Sequence, residues 1–182
     1  PWLEELSASP QMNGAQVGRA IVDAGLEAIA EMSIRYGAVT GNLPSTLSVV
    51  DINGAHQVYE AYGELMAAVL KDAVADTGAL TMLGRAAEET IKYAQSSYDV
   101  YNMVDLGLFV KALTETWPEE AVAVQKSLSN AVIYNRYTAY AAGSTGLSVY
   151  FPANVGGANA LLYYLDYIYN ICEDEAVRTL YY

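Results

Sequence analysis

The sequence contains a single cysteine, Cys172, and a single histidine, His56. One thiol cannot form an intrachain disulfide, and it excludes the CxxC and Cys/His frameworks that hold structural zinc. The single cysteine fits a reducing cytosol and a cysteine-poor bacterial exterior equally well. The sequence also lacks an HExxH motif, an EF-hand loop, a Walker loop and a G-x-S-x-G elbow. Each of these motifs marks a metal, nucleotide or nucleophile site, so no metal and no cofactor is predicted.

Basic residues are also scarce. Nine Lys and Arg residues stand singly against 21 Asp and Glu residues, which gives a formal net charge of −12. Binding to phosphate backbones needs clustered cations, so nucleic acid is not an expected partner. No apolar run approaches the roughly 18 residues that cross a bilayer, and no membrane span is predicted. The amino end, Pro1-Trp2-Leu3, lacks a Met and is not typical of a signal peptide, which indicates a cut or engineered start.

Tyrosine is abundant where phenylalanine is rare: the sequence has 16 Tyr and two Phe. A tyrosine ring packs like other aromatics, but its hydroxyl needs a hydrogen-bond partner, so tyrosine suits helix seams and wet interfaces. Both alternatives are open. In the second, a non-enzymatic, Tyr-rich α/β interaction module would bind a partner or a glycan through an exposed cluster around Tyr163, Tyr164, Tyr167 and Tyr169.

Helical periodicity and capping residues predict six helices. Their predicted limits are Ser9, as the capping residue, to about Tyr36-Gly37; about Gly54 to Ala75; Leu80 to Ala94; a short helix opened by Met103–Leu106; the capping box Thr116-x-x-Glu119 to about Ala131; and Asn159 to about Asn170.

Two short apolar runs, Leu47–Asp51 and Gly146–Phe151, predict buried strands, and Val132–Tyr137 gives a mixed signal. Two or three short strands do not complete a sheet, because an isolated pair is marginal and leaves its edges exposed. The expected fold class is therefore α/β, predominantly helical. Residues 1–182 should form a single unit whose strands join a sheet with strands from elsewhere.

His56 and Cys172 are the only pair that could form a Cys/His dyad. However, Glu173, Asp174 and Glu175 follow the cysteine, and neighbouring carboxylates raise the pKa of a thiol, which opposes thiolate formation. A surface histidine and a structural or surface cysteine are the favoured interpretation. No catalytic residue is assigned, and no substrate-binding residue is identified.

The carboxylates favour structural roles. Asp51 and Asp105 each follow an apolar pair and precede a predicted helix, which is typical of helix capping rather than catalysis. Adjacent residues on a helix do not face each other, so the acidic pairs are interpreted as solvated faces rather than paired acid/base groups. The pairs are Glu4-Glu5, Glu88-Glu89 and Glu119-Glu120. Gly143–Gly146 is interpreted as a turn.

Four ordered stretches resemble the clostripain family of cysteine peptidases. The first is Trp2-Leu3 with Leu6 and the helix Gly14 to Asp23, which is similar to the segment after the family's substrate-pocket loop. The others are Leu47–Ile52 (L-S-x-x-D-L), Met103–Phe109 (V-D-L-x-x-F) and Gly146–Pro152, which is similar to G-L-S-I/V-Y-F-P almost letter for letter.

The resemblance implies a caspase-like sandwich with an added helical domain. Residues 1–52 and 132–182 would complete the caspase-like layer, and about 53–131 would form the helical subdomain. Members use a Cys/His dyad to cleave after Arg or Lys, and many are secreted by bacteria. The family's cysteine motif is missing from this sequence, so neither His56 nor Cys172 inherits a role. The chain would then be an inactive carboxy-terminal fragment, with the amino-terminal half of its parent as partner and the parent's peptide as substrate. A degenerate peptidase scaffold is an alternative.

Overall fold

The computed structural model describes residues 2–36, 45–95 and 100–151, together with Asp166, Asn170 and Glu175. These residues form six α-helices and two small sheets, so the mixed α/β, mostly helical class is confirmed. Along the chain the elements are α1 (Trp2–Ala8), α2 (Gly14–Tyr36), β1 (Thr46–Val50), α3 (Ile52–Ala75), α4 (Gly78–Glu88), β2 (Lys92–Gln95), β3 (Val100–Asp105), α5 (Leu106–Ala112), α6 (Pro118–Ala131), β4 (Val132–Tyr137) and β5 (Ser148–Tyr150). None of the described helices is both long and apolar enough to cross a bilayer.

The hydrophobic core lies among α3, α4, α5 and α6. The predicted apolar stripe of α3 is confirmed, because its members are all buried: Val58, Tyr62, Leu65, Met66 and Val69. Phe109 of α5 and Val124 of α6 are fully buried in the same hydrophobic cluster. Full burial of each such side chain stabilises the fold by about 1.5–3 kcal/mol, so these helices supply most of the apolar stabilisation.

The α3 and α6 helices approach closely where α3 begins and α6 ends. A Cβ atom at Gly54 would lie 2.7 Å from the Cα atom of Ala131. The amide of Asp51 also donates to the Ala131 carbonyl at 2.8 Å. Small residues at this crossing therefore bring β1, which precedes α3, beside β4, which follows α6.

Both sheets are antiparallel. The first contains β1 and β4, and the second has the order β2-β3-β5. The α2 helix covers one face of the first sheet, since added Cβ atoms at Gly18 and Gly25 would contact Val49 and Leu47 at under 3 Å. Arg19 of α2 lies over the ring of Tyr134, with its guanidinium carbon 5.0 Å from the ring centroid.

The strand count differs from the prediction, because five strands are present in the described part of the chain rather than two or three. The predicted helix Leu80–Ala94 is wrong beyond Glu88, since Lys92–Gln95 form β2. Met103 and Asp105 belong to β3, and the helix predicted there begins at Leu106. In both cases strand pairing overrides the local helical pattern. The range 53–131, predicted as a helical subdomain, thus also contains β2 and β3.

Two predicted caps are also wrong. The first long helix begins at Gly14, and Asn13 forms a reciprocal capping box with Gln16: each side chain accepts from the other's amide, at 2.9 and 3.0 Å. Ser9 instead lies in the connection after α1. The Thr116 hydroxyl contacts the Met82 sulfur at 3.5 Å and caps no helix, because the buried Trp117 takes the capping position of α6.

The remaining predicted elements are accounted for. The strands Leu47–Asp51 and Gly146–Phe151 are found as β1 and β5, although β1 is only partly buried and Ser148 of β5 is exposed. The mixed segment Val132–Tyr137 is β4. The predicted helix Asn159–Asn170 lies outside the described residues, apart from Asp166 and Asn170, which are helical.

The helix crossing yields a prediction on stability. Gly54→Ala should lower the free energy of unfolding by about 2 kcal/mol, because its methyl group has no room against the Ala131 backbone. Gly84→Ala is the matched control, since nothing lies within 4 Å of its Cβ position and alanine favours the interior of α4. That substitution should stabilise the protein by about 0.5–1 kcal/mol. Urea denaturation measures both, and equal shifts of the same sign would contradict the crossing described above.

Candidate functional site

The carboxylate of Asp105 lies where the two sheets and α5 meet. Asp105 is the last residue of β3, and it is 0% exposed. Its Oδ2 atom accepts from the Tyr93 hydroxyl and the Thr145 amide, both at 2.8 Å. Its Oδ1 atom accepts from the Thr145 hydroxyl at 2.7 Å and from the Leu108 amide at 3.0 Å. Four donors therefore converge on one buried acceptor group.

The local sequence explains why the carboxylate is held in the interior. β3 is the central strand of its sheet, and Val104 and Leu106 on either side of Asp105 are both buried. The Asp105 amide donates to Ile91 and the Leu106 amide donates to Leu147. With φ −65° and ψ 120°, Asp105 is extended, which is the usual conformation of an N-cap residue. Its side chain can thus cap α5 without leaving the sheet.

The turn Gly143–Gly146 supplies the other half of this site. Gly143 and Gly146 have φ values of +89° and +95°, a conformation that glycine adopts without a steric penalty. The turn places the Thr145 hydroxyl to accept from the Gly107 amide at 3.0 Å while it donates to Asp105. A Cβ atom at Gly107 would lie 2.5 Å from the Thr145 side chain. Glycine is therefore required at the start of α5 for this contact.

The same turn contacts the first sheet. The side-chain NH₂ group of Asn135 donates to the Ser144 carbonyl at 2.7 Å, and the Ser144 hydroxyl donates to the Thr46 hydroxyl at 2.9 Å. The Ser48 hydroxyl donates to the Gly146 carbonyl at 2.6 Å. Hydrogen bonds thus connect β1 and β4, through the turn, to Asp105 and the second sheet. We call this set the junction network: Thr46, Ser48, Tyr93, Asp105, Asn135, Ser144 and Thr145.

Tyr93 is the junction member with a shifted pKa. Burial raises the pKa of its phenol well above the ordinary value near 10. A hydrogen bond with Ser144 acts in the opposite direction, and the hydrogen bond to Asp105 and the negative charge of Asp105 raise the pKa further. The phenol therefore stays protonated and remains a donor to Asp105 across the physiological range.

The junction network is suited to holding structure rather than to chemistry. All four acceptor positions of Asp105 are occupied, so this carboxylate has no free lone pair for a substrate proton. Its hydroxyls bond to carbonyls, carboxylates and one another, and none has a histidine beside it. Within the described residues, no group of three His, Cys, Asp or Glu side chains could hold a metal ion.

His56 lies away from this network, on the surface of α3. Its imidazole is 71% exposed and lies 3.4 Å from Glu60, one turn along the helix. The predicted surface role of His56 is therefore confirmed. Cys172 lies outside the described residues, as does the predicted cluster around Tyr163, Tyr164, Tyr167 and Tyr169.

The two capping predictions are confirmed. Asp51 accepts from the Gly54 amide at 2.7 Å, and Asp105 accepts from the Leu108 amide. The acidic pairs Glu4-Glu5 and Glu88-Glu89 are exposed, as predicted, and Glu119 is exposed beside a half-buried Glu120.

Sequence reasoning missed the role of Gly143–Gly146. Two glycines flanking Ser144 and Thr145, just before a strand, were the available signal for a tight turn that presents two hydroxyls.

The burial of Asp105 yields a second prediction. Asp105→Asn should lower the free energy of unfolding by about 3 kcal/mol. The single side-chain oxygen of Asn can accept from only two of the four donors, and its NH₂ group, itself a donor, would lie against the other two. Asp51→Asn should change stability by less than about 0.5 kcal/mol, since Asn caps helices as well as Asp does. Both substitutions remove one negative charge from an N-cap residue. The difference between their free energies of unfolding, measured by chemical denaturation, therefore reports the effect of burying the carboxylate and not the effect of removing its charge. Similar losses in the two variants would count against the junction network.

The raised pKa of Tyr93 yields a third prediction. Because the folded state holds this proton more tightly than the unfolded chain does, the stabilisation is fully present below about pH 10 and is lost as pH rises above it. In Tyr93→Phe, the stability should fall less steeply with alkaline pH than in the unmodified protein. The matched control is Tyr140→Phe, which removes an exposed hydroxyl and should keep the original slope. Urea midpoints measured between pH 8 and pH 11 test this difference.

No protein-family model, curated protein or solved structure matches this chain. The likeness to the clostripain family therefore stays a prediction that the sequence motifs support.

Proposed function

We propose that this chain is the carboxy-terminal, non-catalytic part of a clostripain-like cysteine endopeptidase that cleaves after Arg or Lys. One observation carries the proposal. Among the four stretches that resemble the family's motifs, Leu47–Ile52 and Met103–Phe109 each contact the described part of Gly146–Pro152. In the sequence, 50 residues (53–102) separate the first stretch from the second and 36 (110–145) separate the second from the third.

The contacts between these stretches are specific. Ser48 of the first donates to Gly146 of the third at 2.6 Å, and Leu106 of the second donates to Leu147 of the third at 3.0 Å. Strand pairing aligns Val104 with Val149. The rings of Phe109 and Phe151 lie 5.3 Å apart. The likeness to the family therefore involves segments that lie together in the fold, which supports the proposal.

The short sheets fit an incomplete layer. Each has two outer strands without a neighbour in the described part of the chain: β1 and β4 in the first sheet, β2 and β5 in the second. Small sheets with open edges are stabilised when further strands or covering elements join them. The amino-terminal half of the parent is the partner that we propose for these edges.

In this account the parent, and not this chain, performs the chemistry. A cysteine thiolate paired with a protonated histidine would attack the carbonyl carbon of an Arg or Lys residue. The peptide C–N bond would break, the histidine would protonate the departing amine, and water would then hydrolyse the thioester of the acyl-enzyme and release the thiolate. The described residues would support the layer that carries this dyad. The resemblance also implies a secreted or cell-surface bacterial hydrolase.

Hydrolysis by the full-length parent tests the proposal. A fluorogenic peptide with Arg or Lys before the scissile bond should be cleaved, and alkylation by iodoacetamide should abolish the rate. The matched peptide with Asp at that position should not be cleaved, and the 182-residue chain alone should cleave neither. A folded parent with no Cys/His pair, or with no cleavage after Arg or Lys, would contradict the proposal and favour a scaffold or interaction module.

A further inference from the structure

A surface pocket of about 490 Å³ lies beside the junction network. Its walls come from four separate segments: α5, the second half of α6, Val132 of β4 and the turn around Gly143 and Thr145. Small-molecule sites in proteins have volumes of about 300–1,000 Å³, so this pocket has the size of a ligand site.

The walls are held in place by contacts already described. Thr145 is fixed by Asp105 and by the Gly107 amide, and α6 is anchored to the core by Leu128 and Val124. Nothing lies within 4 Å of a Cβ position at Gly143, so this part of the turn faces open space. A pocket whose walls are fixed before binding loses little conformational entropy when a ligand enters.

The lining combines an apolar floor with one charge. Leu108, Leu128 and Val132 supply the apolar surface. Among the described lining residues, Lys111 is the one that carries a charge, and none is a carboxylate. The chain as a whole has a net charge of −12, whereas the charge on the described pocket lining is positive.

Most polar groups of the lining are already engaged. Ser129 donates to the Lys126 carbonyl, and Gln125 donates to the Thr114 hydroxyl. The ammonium group of Lys111, in contrast, has no hydrogen-bond acceptor or carboxylate partner among the described residues. Its three N–H donors are available to a ligand.

We propose that this pocket binds a small monocarboxylate with an apolar body, whose carboxylate pairs with Lys111 and whose body packs on Leu108, Leu128 and Val132. The single cation matches a single anionic group, and the acidic remainder of the chain disfavours ligands of higher negative charge. The inference rests on the pocket alone and does not depend on the peptidase proposal.

Titration of the ¹⁵N-labelled 182-residue chain with octanoate tests the inference. Saturable shifts should concentrate on the amides of Leu108–Lys111 and Gln125–Val132. Lys111→Gln should weaken octanoate binding by about fivefold, the effect expected for an exposed ion pair, and Lys126→Gln should leave it unchanged. Octanamide, which has the same body without the charge, should bind about fivefold more weakly than octanoate and be insensitive to Lys111→Gln.

A second pair of variants tests the location. Ser129→Trp places an indole in the pocket from an exposed helical position and should abolish binding of both probes. Asn130→Trp adds the same indole at a neighbouring exposed residue outside the lining and should bind both normally. Non-saturable or scattered shifts, equal affinity for octanoate and octanamide, or unchanged affinity in Lys111→Gln or Ser129→Trp would overturn the inference.

Discussion

The carboxylate of Asp105 is completely buried and accepts hydrogen bonds from a phenol, a hydroxyl and two backbone amides. Burial of a charge without partners is costly, but charge-assisted hydrogen bonds that fill every lone-pair position offset that cost. Because its donors come from β2, from α5 and from the turn before β5, Asp105 fixes the relative positions of these elements. The turn then extends the same connections to β1 and β4.

The helical core and the junction network perform different tasks. Apolar burial among α3, α4, α5 and α6 supplies most of the stabilising free energy, but hydrophobic contact is non-directional. The hydrogen bonds at Asp105 fix the orientation of the elements that carry the donors, since each bond requires a particular distance and angle. Asp51 and Asp105 solve the same local problem, capping a helix that follows a strand. Only Asp105 is buried, and its remaining lone pairs accept hydrogen bonds from Tyr93 and Thr145, which are distant in the sequence.

The sequence predicted features that depend on neighbouring residues and missed those that depend on distant ones. The apolar stripe of α3 and the caps at Asp51 and Asp105 follow from spacing along one helix, and they are confirmed. β2 was missed because its backbone pairs with β3, and no local pattern encodes that partner. Asp105 was predicted as a cap, but its bonds to Tyr93 and Thr145 span 12 and 40 residues. The capping box at Thr116 failed because α6 begins at Pro118, which makes the buried Trp117 the N-cap residue and leaves Thr116 outside the helix.

Because the donors to Asp105 come from β2, α5 and the turn before β5, the junction at Asp105 should open only when the whole domain unfolds. Native-state hydrogen exchange at the Thr145 amide, which donates to Asp105, tests this directly. The account predicts that Thr145 exchanges with the same opening free energy and the same denaturant dependence as the amide of Leu65 in the buried core of α3. Exchange of Thr145 through a local opening insensitive to denaturant, while Leu65 stays protected, would contradict it.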